Sequence, residues 1–166
     1  MHPTDGGPAT LTMTVLMTPD TANFSGNVHG GHLLKLLDQV AYSCAARYAG
    51  TYVVTLSVDR VYFRDIIHVG ELVTFSASVN YTGRTSMEIG IRVDTENIQE
   101  GNKRHTNSSY FTMVAVDSDG KPVEVPALQP QTDIAKERYE AARARRRAQR
   151  TAFAQPHAVP PASEQV

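Results

Sequence analysis

The fold of this chain is decided by residues 31–48, which read GHLLKLLDQVAYSCAARY. This stretch has no proline and no interior glycine, and its apolar side chains recur every three or four positions, as in a helix. Further leucines and alanines widen the apolar surface until only Lys35, Gln39 and Arg47 suit solvent. A helix that is apolar over most of its circumference is a buried helix, and Gly50 suits its C-terminal end.

The segments on either side of this helix predict β-strands. A short alternating stretch precedes it, and a loop rich in Asp, Asn, Ser and Gly joins the two. After it, β-branched and aromatic residues recur with a period of two, and glycine-containing turns separate the runs. The predicted strands are residues 11–17, 52–63, 72–81, 86–97 and 105–116. One long buried helix with an antiparallel meander predicts an α+β fold, in which a curved antiparallel sheet wraps around the helix.

The expected organisation is one domain over residues 11–150. Residues 1–10 and 151–166 lack periodicity and contain several prolines, so we expect a disordered leader and a disordered tail. A second helix is predicted at about residues 133–150. Its arginines could bind RNA, an acidic partner or a nucleotide, but we prefer a solvated face or an ion-pair surface between subunits. These arginines are Arg143, Arg145, Arg146, Arg147 and Arg150.

Composition excludes several classes of protein. The formal net charge is -1, which argues against a nucleic-acid binder driven by bulk charge. Cys44 is the only cysteine, so neither an intrachain disulfide nor a cysteine-rich zinc site can form. No apolar run is long enough to cross a membrane, and no signal sequence is recognisable. We therefore expect a cytoplasmic protein with no membrane or nucleic-acid partner.

Metal and nucleotide sites are also not indicated. His29 and His32 lie three positions apart, but nothing nearby supplies the further ligands that a zinc site needs. The glycine-rich phosphate-binding motifs and the G-x-S-x-G motif of serine hydrolases do not occur. Cys44 lies on the apolar face of the predicted helix, where an inert buried thiol is expected.

Asp38 does not fit the apolar helix that contains it. A buried carboxylate costs several kcal/mol unless it is paired, so Asp38 is expected either to have a partner or to meet a cleft. Two structural interpretations remain open: solvation at the narrow polar edge of the helix, and an ion pair with Arg60, Arg64 or Lys35.

The residues before the helix favour a functional interpretation. Residues 23–31 read NFSGNVHGG, and glycines at a helix start leave the first backbone N–H groups unobstructed. With the positive end of the helix dipole, the N–H groups around Gly30 and Gly31 can stabilise an oxyanion. The side-chain amide of Asn23 can orient a carbonyl or a water. Close packing of helix against strand is the alternative explanation for the glycines.

Residues 23–38, NFSGNVHGGHLLKLLD, closely resemble the helix-start signature of hotdog-fold acyl-CoA thioesterases, in the subgroup of the brain-type acyl-CoA hydrolases and their bacterial relatives. The resemblance extends in order over roughly residues 11–150, through stretches such as 54–59, 81–88 and 111–117. It implies hydrolysis of fatty acyl-CoA by an aspartate of the helix and an asparagine of the preceding loop, across a dimer interface. These match Asp38 and Asn23, and the competing Asn27 is assigned to loop structure. Whether Asp38 activates water or attacks directly stays open.

The resemblance also implies a substrate site and an assembly. The turn that meets CoA would comprise Thr82, Gly83, Arg84, Thr85 and Ser86, and Ser57 is a further candidate CoA contact. No metal or organic cofactor is expected, since CoA is substrate and product. A homodimer is expected as the active unit, assembled into a hexamer as a trimer of dimers, with a nucleotide regulator as in some relatives. The chain departs from the family at Ile66, where proline is common, and His32 occupies a variable position.

Two other functions remain as alternatives. A hydroxyacyl thioester dehydratase has the same fold and pairs a histidine with an acidic residue, which His29 beside Asp38 could imitate. A non-catalytic acyl-CoA or nucleotide sensor would bind CoA without releasing thiol.

Overall fold

The computed structural model describes residues 6–153, except for the side chains of residues 152 and 153. Within this part of the chain, one helix lies between the first two strands and a second helix follows the last strand. In chain order the elements are β1 (Thr10–Leu16), a 3₁₀ turn (Pro19–Thr21), α1 (Gly30–Ala49), β2 (Val53–Phe63), β3 (Leu72–Thr82), β4 (Ser86–Asn97), β5 (Asn102–Ala115) and α2 (Asp133–Phe153). The predicted strands and helices are all present, and their bounds differ from the predicted ones by at most three residues.

The strands form one antiparallel sheet in the order β1-β3-β4-β5-β2. The meander β3-β4-β5 lies in the centre, and β1 and β2 lie at the edges. Helix α1 packs against all five strands. The predicted α+β fold is therefore confirmed. Among the described residues, β2 has a partner on one side only, so its outer backbone groups are available to another strand.

Helix α1 owes its limits to two local features. At its start, the His29 side chain accepts a hydrogen bond from the Gly31 N–H, with Nδ1 2.8 Å from the nitrogen. At its end, Gly50 adopts a left-handed conformation with φ of 68° and donates its N–H to Ala46 O. Glycine adopts this conformation without steric penalty, which explains why the helix ends there.

The core lies between α1 and the sheet. The helix buries eight side chains along the predicted apolar surface: Leu33, Leu36, Leu37, Val40, Ala41, Cys44, Ala45 and Tyr48. The sheet contributes large, fully buried side chains from its three central strands, including Phe75, Ile89, Phe111 and Met113. Asp38 and Gln39 are exposed, so the carboxylate is not buried in this core.

The structured part of the chain begins earlier and ends later than predicted. Residues 6–10 were expected in a disordered leader, but the Gly7 N–H donates to Tyr48 O and Thr10 already belongs to β1. A Cβ on Gly7 would lie 2.1 Å from Arg47 O, so only glycine fits this contact. Helix α2 likewise continues past residue 150. Residues 1–5 and 154–166, the rest of the predicted leader and tail, lie outside the described residues.

Residues 1–129 and 130–166 divide into two compact units, and the described part of the second is mostly α2. Thr132 caps this helix by accepting a hydrogen bond from the Ala135 N–H at 3.1 Å. The side chains of Arg143, Arg147 and Arg150 are exposed, so the arginine-rich face is present as predicted, while its role stays a prediction. Across the described residues, neither helix has the length and apolar character that crossing a membrane requires.

Candidate active site

An open cleft of about 470 Å³ lies where the loop before α1 meets the loop after β2. The two loops are joined by a hydrogen bond from the Val28 N–H to Ile67 O at 2.9 Å. A second bond links Asn27 Oδ1 to His68 Nδ1 at 3.0 Å. The cleft is lined by Asn23, Ser25, Asn27, Val28, Gly30, Leu33, Phe63, Arg64, Asp65, Ile66, Ile67 and Thr106. It therefore contains the predicted Asn23 and the start of the predicted helix.

Asn23 shapes the loop and still has a free donor. Its Oδ1 accepts hydrogen bonds from the Ser25 N–H at 2.9 Å and from the Asn27 N–H at 3.1 Å. Within residues 6–153 its Nδ2 group makes no hydrogen bond, so this group can donate to a ligand in the cleft. The side-chain oxygen of Asn27 is instead hydrogen-bonded to His68, which agrees with the assignment of Asn27 to loop structure.

The two glycines at the helix start are not equivalent donors. The Gly31 N–H is taken by His29 Nδ1, because the absence of a side chain lets the imidazole ring approach closely: a Cβ there would lie 3.0 Å from that nitrogen. Among the described residues, the Gly30 N–H has no acceptor, and Gly30 lines the cleft. While His29 caps the helix, Gly30 has the free backbone donor of the predicted pair, and the role of both glycines stays a prediction.

Asp38 is held by a residue that sequence analysis did not single out. Thr55, near the start of β2, donates its hydroxyl to Asp38 Oδ1 at 2.6 Å. Within the described part of the chain, Asp38 has no ion pair, so the proposed partners Arg60, Arg64 and Lys35 are not observed. Thr55 pairs with the buried Met113 in the sheet, on the side that faces α1. A threonine at such a position of the alternating pattern is the only sequence signal for it.

A single chain does not bring Asn23 and Asp38 together in the cleft. Gly30 and Asp38 are separated by about 12 Å along α1 at 1.5 Å per residue. On β2, Phe63 lies near Gly30 and Thr55 bonds Asp38, and these two residues are eight positions apart along the strand. Each chain therefore holds two halves of the predicted site, one at either end of β2.

The predicted CoA-binding turn is a tight hairpin between β3 and β4 that does not line the cleft. The Gly83 N–H donates to Ser86 O at 2.7 Å. Thr82 Oγ1 accepts from the Leu128 N–H, Arg84 O accepts from the Val125 N–H, and Thr85 O accepts from the Ala115 N–H. The backbone of the turn is thus fixed, while the Arg84 side chain is exposed. Ser57 also lies outside the cleft, and its hydroxyl donates to Asp59 Oδ1 at 2.7 Å.

Arg104, another residue missed from sequence, braces the loop that forms one wall of the cleft. Its guanidinium contacts both carboxylate oxygens of Glu71 at 2.6 and 2.8 Å, Asp65 Oδ2 at 2.7 Å and Ile66 O at 2.7 Å. Burial alone would raise the pKa of Glu71, but the hydrogen bonds from Arg104 and the His68 N–H outweigh it, so this pKa lies below its usual value. The guanidinium pKa of Arg104 is raised by the same pairing.

Replacing Arg104 with methionine is expected to lower the free energy of unfolding by about 3 kcal/mol at pH 7, because it leaves the Glu71 carboxylate buried without its partner. The Glu71 side chain is 6% exposed, so solvent cannot replace the guanidinium. Chemical denaturation measures the change. The double variant Arg104→Met/Glu71→Gln should recover part of the loss, and a loss below about 1 kcal/mol in the single variant would contradict the brace.

The ion pair between Arg104 and Glu71 also predicts how the stability of the fold depends on pH. A carboxyl whose pKa is lowered by folding stabilises the fold fully above its unfolded pKa, about 4.3 for glutamate. This contribution is lost as pH falls below that value and through the folded pKa. Denaturation midpoints of the wild type should therefore fall more steeply below about pH 4.3 than those of Glu71→Gln, whose side chain does not titrate.

No metal site is found in the described part of the chain, where no group of three or more His, Cys, Asp or Glu residues could hold an ion. His29 is used as the helix cap instead. Cys44 is 1% exposed, and burial raises the pKa of its thiol to about 11. A thiol with this pKa stays protonated near neutral pH, which agrees with the inert role predicted for it.

Known proteins resemble the chain along most of its length. The sequence profile described as the Thioesterase superfamily matches residues 25–102. Protein VdlD of Helicobacter pylori is 53% identical over 132 residues, which cover 80% of this chain and 75% of the relative. The cytosolic acyl coenzyme A thioester hydrolase of Rattus norvegicus is 38% identical over 132 residues, 78% of this chain. The aligned part is only 35% of that longer protein.

Solved structures of acyl-CoA thioesterases also resemble the chain along most of its length. A hexameric acyl-CoA thioesterase is 38% identical with a TM-score of 0.84, covering 89% of this chain and 94% of that one. The acyl-CoA hydrolase of Staphylococcus aureus, in complex with butyryl coenzyme A, coenzyme A and coenzyme A disulfide, is 32% identical with a TM-score of 0.79. The aligned part covers 88% of this chain and 91% of the Staphylococcus aureus chain.

The Staphylococcus aureus enzyme was also solved with alanine in place of one asparagine, one aspartate and one threonine. The spacing of these three residues along that chain equals the spacing of Asn23, Asp38 and Thr55 here.

Proposed function

The chain belongs to the Thioesterase superfamily and is an acyl-CoA thioesterase, and we propose that Asn23 of one copy and Asp38 of a second copy hydrolyse the thioester. Water adds to the thioester carbonyl, the carbon–sulfur bond breaks, and the products are a carboxylic acid and the free thiol of CoA. The observation that carries the proposal is the free Gly30 N–H beside Asn23 in the cleft, with a hydrogen-bonded carboxylate at the far end of β2.

The cleft supplies the electrophilic half of the site. The Gly30 N–H and the positive end of the α1 dipole stabilise the carbonyl oxygen as it gains negative charge. The Nδ2 group of Asn23 donates to the same oxygen or to the attacking water. The close approach of Phe63, whose ring would lie 3.7 Å from a Cβ on Gly30, limits access of bulk water to this donor.

Asp38 supplies the basic half. Its carboxylate accepts a proton from the attacking water, whose oxygen forms the new bond to the carbonyl carbon. When the tetrahedral intermediate collapses, the CoA thiolate leaves and receives that proton. Thr55 is a positioning residue: its hydrogen bond to Oδ1 fixes the carboxylate and leaves Oδ2 for the water. Direct attack by Asp38 would instead form an anhydride, which labelled water in a single turnover would reveal as label in the protein.

A dimer through β2 would join the two halves. This edge strand has five large apolar side chains whose exposed fractions lie between 39% and 66%: Val54, Leu56, Val58, Tyr62 and Phe63. Nearby, Phe24 is fully exposed. An unpaired apolar edge of this kind is a template for a second strand. If two β2 strands pair antiparallel about a two-fold axis near Asp59, the Thr55 end of each lies beside the Phe63 end of the other, and Asp38 of each copy faces the Gly30 cleft of its partner.

Further features of the proposal rest on the relatives. A hexamer built from three such dimers is supported by the hexameric thioesterase. A cytoplasmic location is supported by the cytosolic relative. Binding of CoA phosphates by Arg84 is supported by its exposed side chain on a rigid turn, and Ser57 remains a proposed pantetheine contact. The exposed arginines of α2 are the candidates for binding the phosphates of a nucleotide regulator.

The direct test is thiol release from a panel of acyl-CoAs from acetyl to dodecanoyl. Time-dependent release of free thiol with equal amounts of carboxylic acid is expected. Formation of an enoyl product from a 3-hydroxyacyl-CoA, by loss of water and without release of thiol, would instead make the protein a dehydratase. Tight CoA binding with no thiol release at any chain length would make it a sensor.

A further inference from the structure

We propose that the apolar part of the cleft binds the acyl chain of the substrate and that Ile66 sets the chain length it accepts. The inference rests on the proposed function and adds a subsite to it. Five apolar side chains form this surface, which we call the acyl surface: Val28, Leu33, Phe63, Ile66 and Ile67.

The acyl surface begins at the proposed reacting carbonyl. Phe63 lies beside Gly30, and Leu33 follows Gly30 by one helical turn and is 2% exposed. Because the chain of an acyl-CoA starts at its carbonyl carbon, a substrate whose carbonyl oxygen meets the Gly30 N–H has its first methylenes against Phe63, whose side chain is 53% exposed.

The acyl surface suits a hydrocarbon better than the pantetheine arm. The amides of pantetheine would lose hydrogen bonds to water there without gaining partners, which costs free energy. The hydroxyl of Thr106, which also lines the cleft, is 1% exposed and already pairs with Thr95 Oγ1 at 2.9 Å. The polar residues of the cleft, such as Ser25, Arg64 and Asp65, are exposed and offer partners for the amides at its mouth.

Ile66 forms a fixed wall. Its carbonyl accepts from Arg104 Nη2 at 2.7 Å, and its N–H donates to Asp65 Oδ1 at 2.9 Å. On either side, the Arg64 N–H donates to Thr106 O and Ile67 O accepts from the Val28 N–H. The side chain itself is 54% exposed. An exposed apolar side chain on such a restrained backbone is preorganised to be covered by an apolar ligand.

The test compares Ile66→Trp, Ile66→Ala and Ile98→Trp with the wild type on acyl-CoAs of two to twelve carbons. Ile98 is the matched control, because it is 53% exposed and lies outside the cleft. In the wild type, kcat/KM should rise by up to about fourfold for each methylene that enters the cleft and then level off. Ile66→Trp should lower the octanoyl-to-acetyl ratio of kcat/KM at least tenfold, Ile66→Ala should move the levelling-off point to longer chains, and Ile98→Trp should leave the ratio unchanged.

Inhibition by free CoA, which has no acyl chain, separates the acyl subsite from a pantetheine site. Its inhibition constant should change less than about twofold in both Ile66 variants. An unchanged octanoyl-to-acetyl ratio in both variants, or a parallel weakening of CoA inhibition, would overturn the inference while thiol release by the wild type still supported the function. Absence of thiol release from every acyl-CoA would count against the proposed function itself.

Discussion

Replacing Asp38 with asparagine is expected to lower kcat for acyl-CoA hydrolysis about a thousandfold, with KM changed less than threefold. The amide has the size and shape of the carboxylate, and its oxygen can still accept the hydrogen bond from Thr55. It cannot take a proton from water, so only the chemical step is affected. Steady-state thiol release measures both constants, and circular dichroism checks that the variant is folded.

Two control variants make this result specific. Gln39→Ala removes the exposed neighbouring side chain on α1 and should leave kcat within twofold of the wild type. Thr55→Val keeps the shape of the side chain but removes the hydrogen bond to Asp38, and should lower kcat about tenfold with little change in KM. Thr55→Ser should restore most of this loss. Wild-type turnover by a folded Asp38→Asn protein would exclude Asp38 as base or nucleophile.

The fold could be predicted from sequence because local patterns determine it. The apolar repeat of residues 31–48 indicates a buried helix, and the change to a period of two afterwards indicates a meander. The structure confirms both, with α1 at Gly30–Ala49 and the strands β3, β4 and β5 at the centre of one sheet. Local reasoning missed the contact at Gly7, where backbone approaches backbone and no side-chain pattern records it.

The site could be predicted only in part, because its remaining contacts join distant segments. The apolar pattern of α1 marks Asp38 as a misplaced charge, but its partner Thr55 is 17 positions away on a strand. Arg104 and Glu71 are 33 positions apart, and neither stands out among the other charged residues of the chain. At the helix start, histidine is not among the preferred capping residues, so the sequence does not indicate that His29 accepts the Gly31 N–H.

The relation between Asn23 and Asp38 is beyond any local pattern. Within one chain they belong to opposite ends of β2, although they are close in sequence and both belong to the signature before and within α1. The proposed two-fold dimer would resolve this conflict, because an isologous interface repeats each half-site once in each copy. The exposed apolar side chains of β2 give a physical reason for this symmetry, since a strand edge that pairs with itself buries them.

Co-expression of Asn23→Ala and Asp38→Ala chains in equal amounts is expected to restore about a quarter of the wild-type activity, although each variant alone is nearly inactive. Each site takes Asn23 from one copy and Asp38 from another, and each of these copies carries the intact residue in half of the cases. The estimate holds for dimers and for trimers of dimers alike. The measurement is thiol release per milligram of the mixed protein.

Co-expression of the wild type with the double variant Asn23→Ala/Asp38→Ala provides the matched control. A site shared between copies should again give about a quarter of the activity, because both contributors must be wild type. A site contained within one chain should give about half with this mixture and almost nothing with the two single variants. The two mixtures therefore discriminate between a site shared by two copies and a site within one chain. Inactivity of the mixed single variants would contradict the pairing of Asn23 and Asp38 across β2.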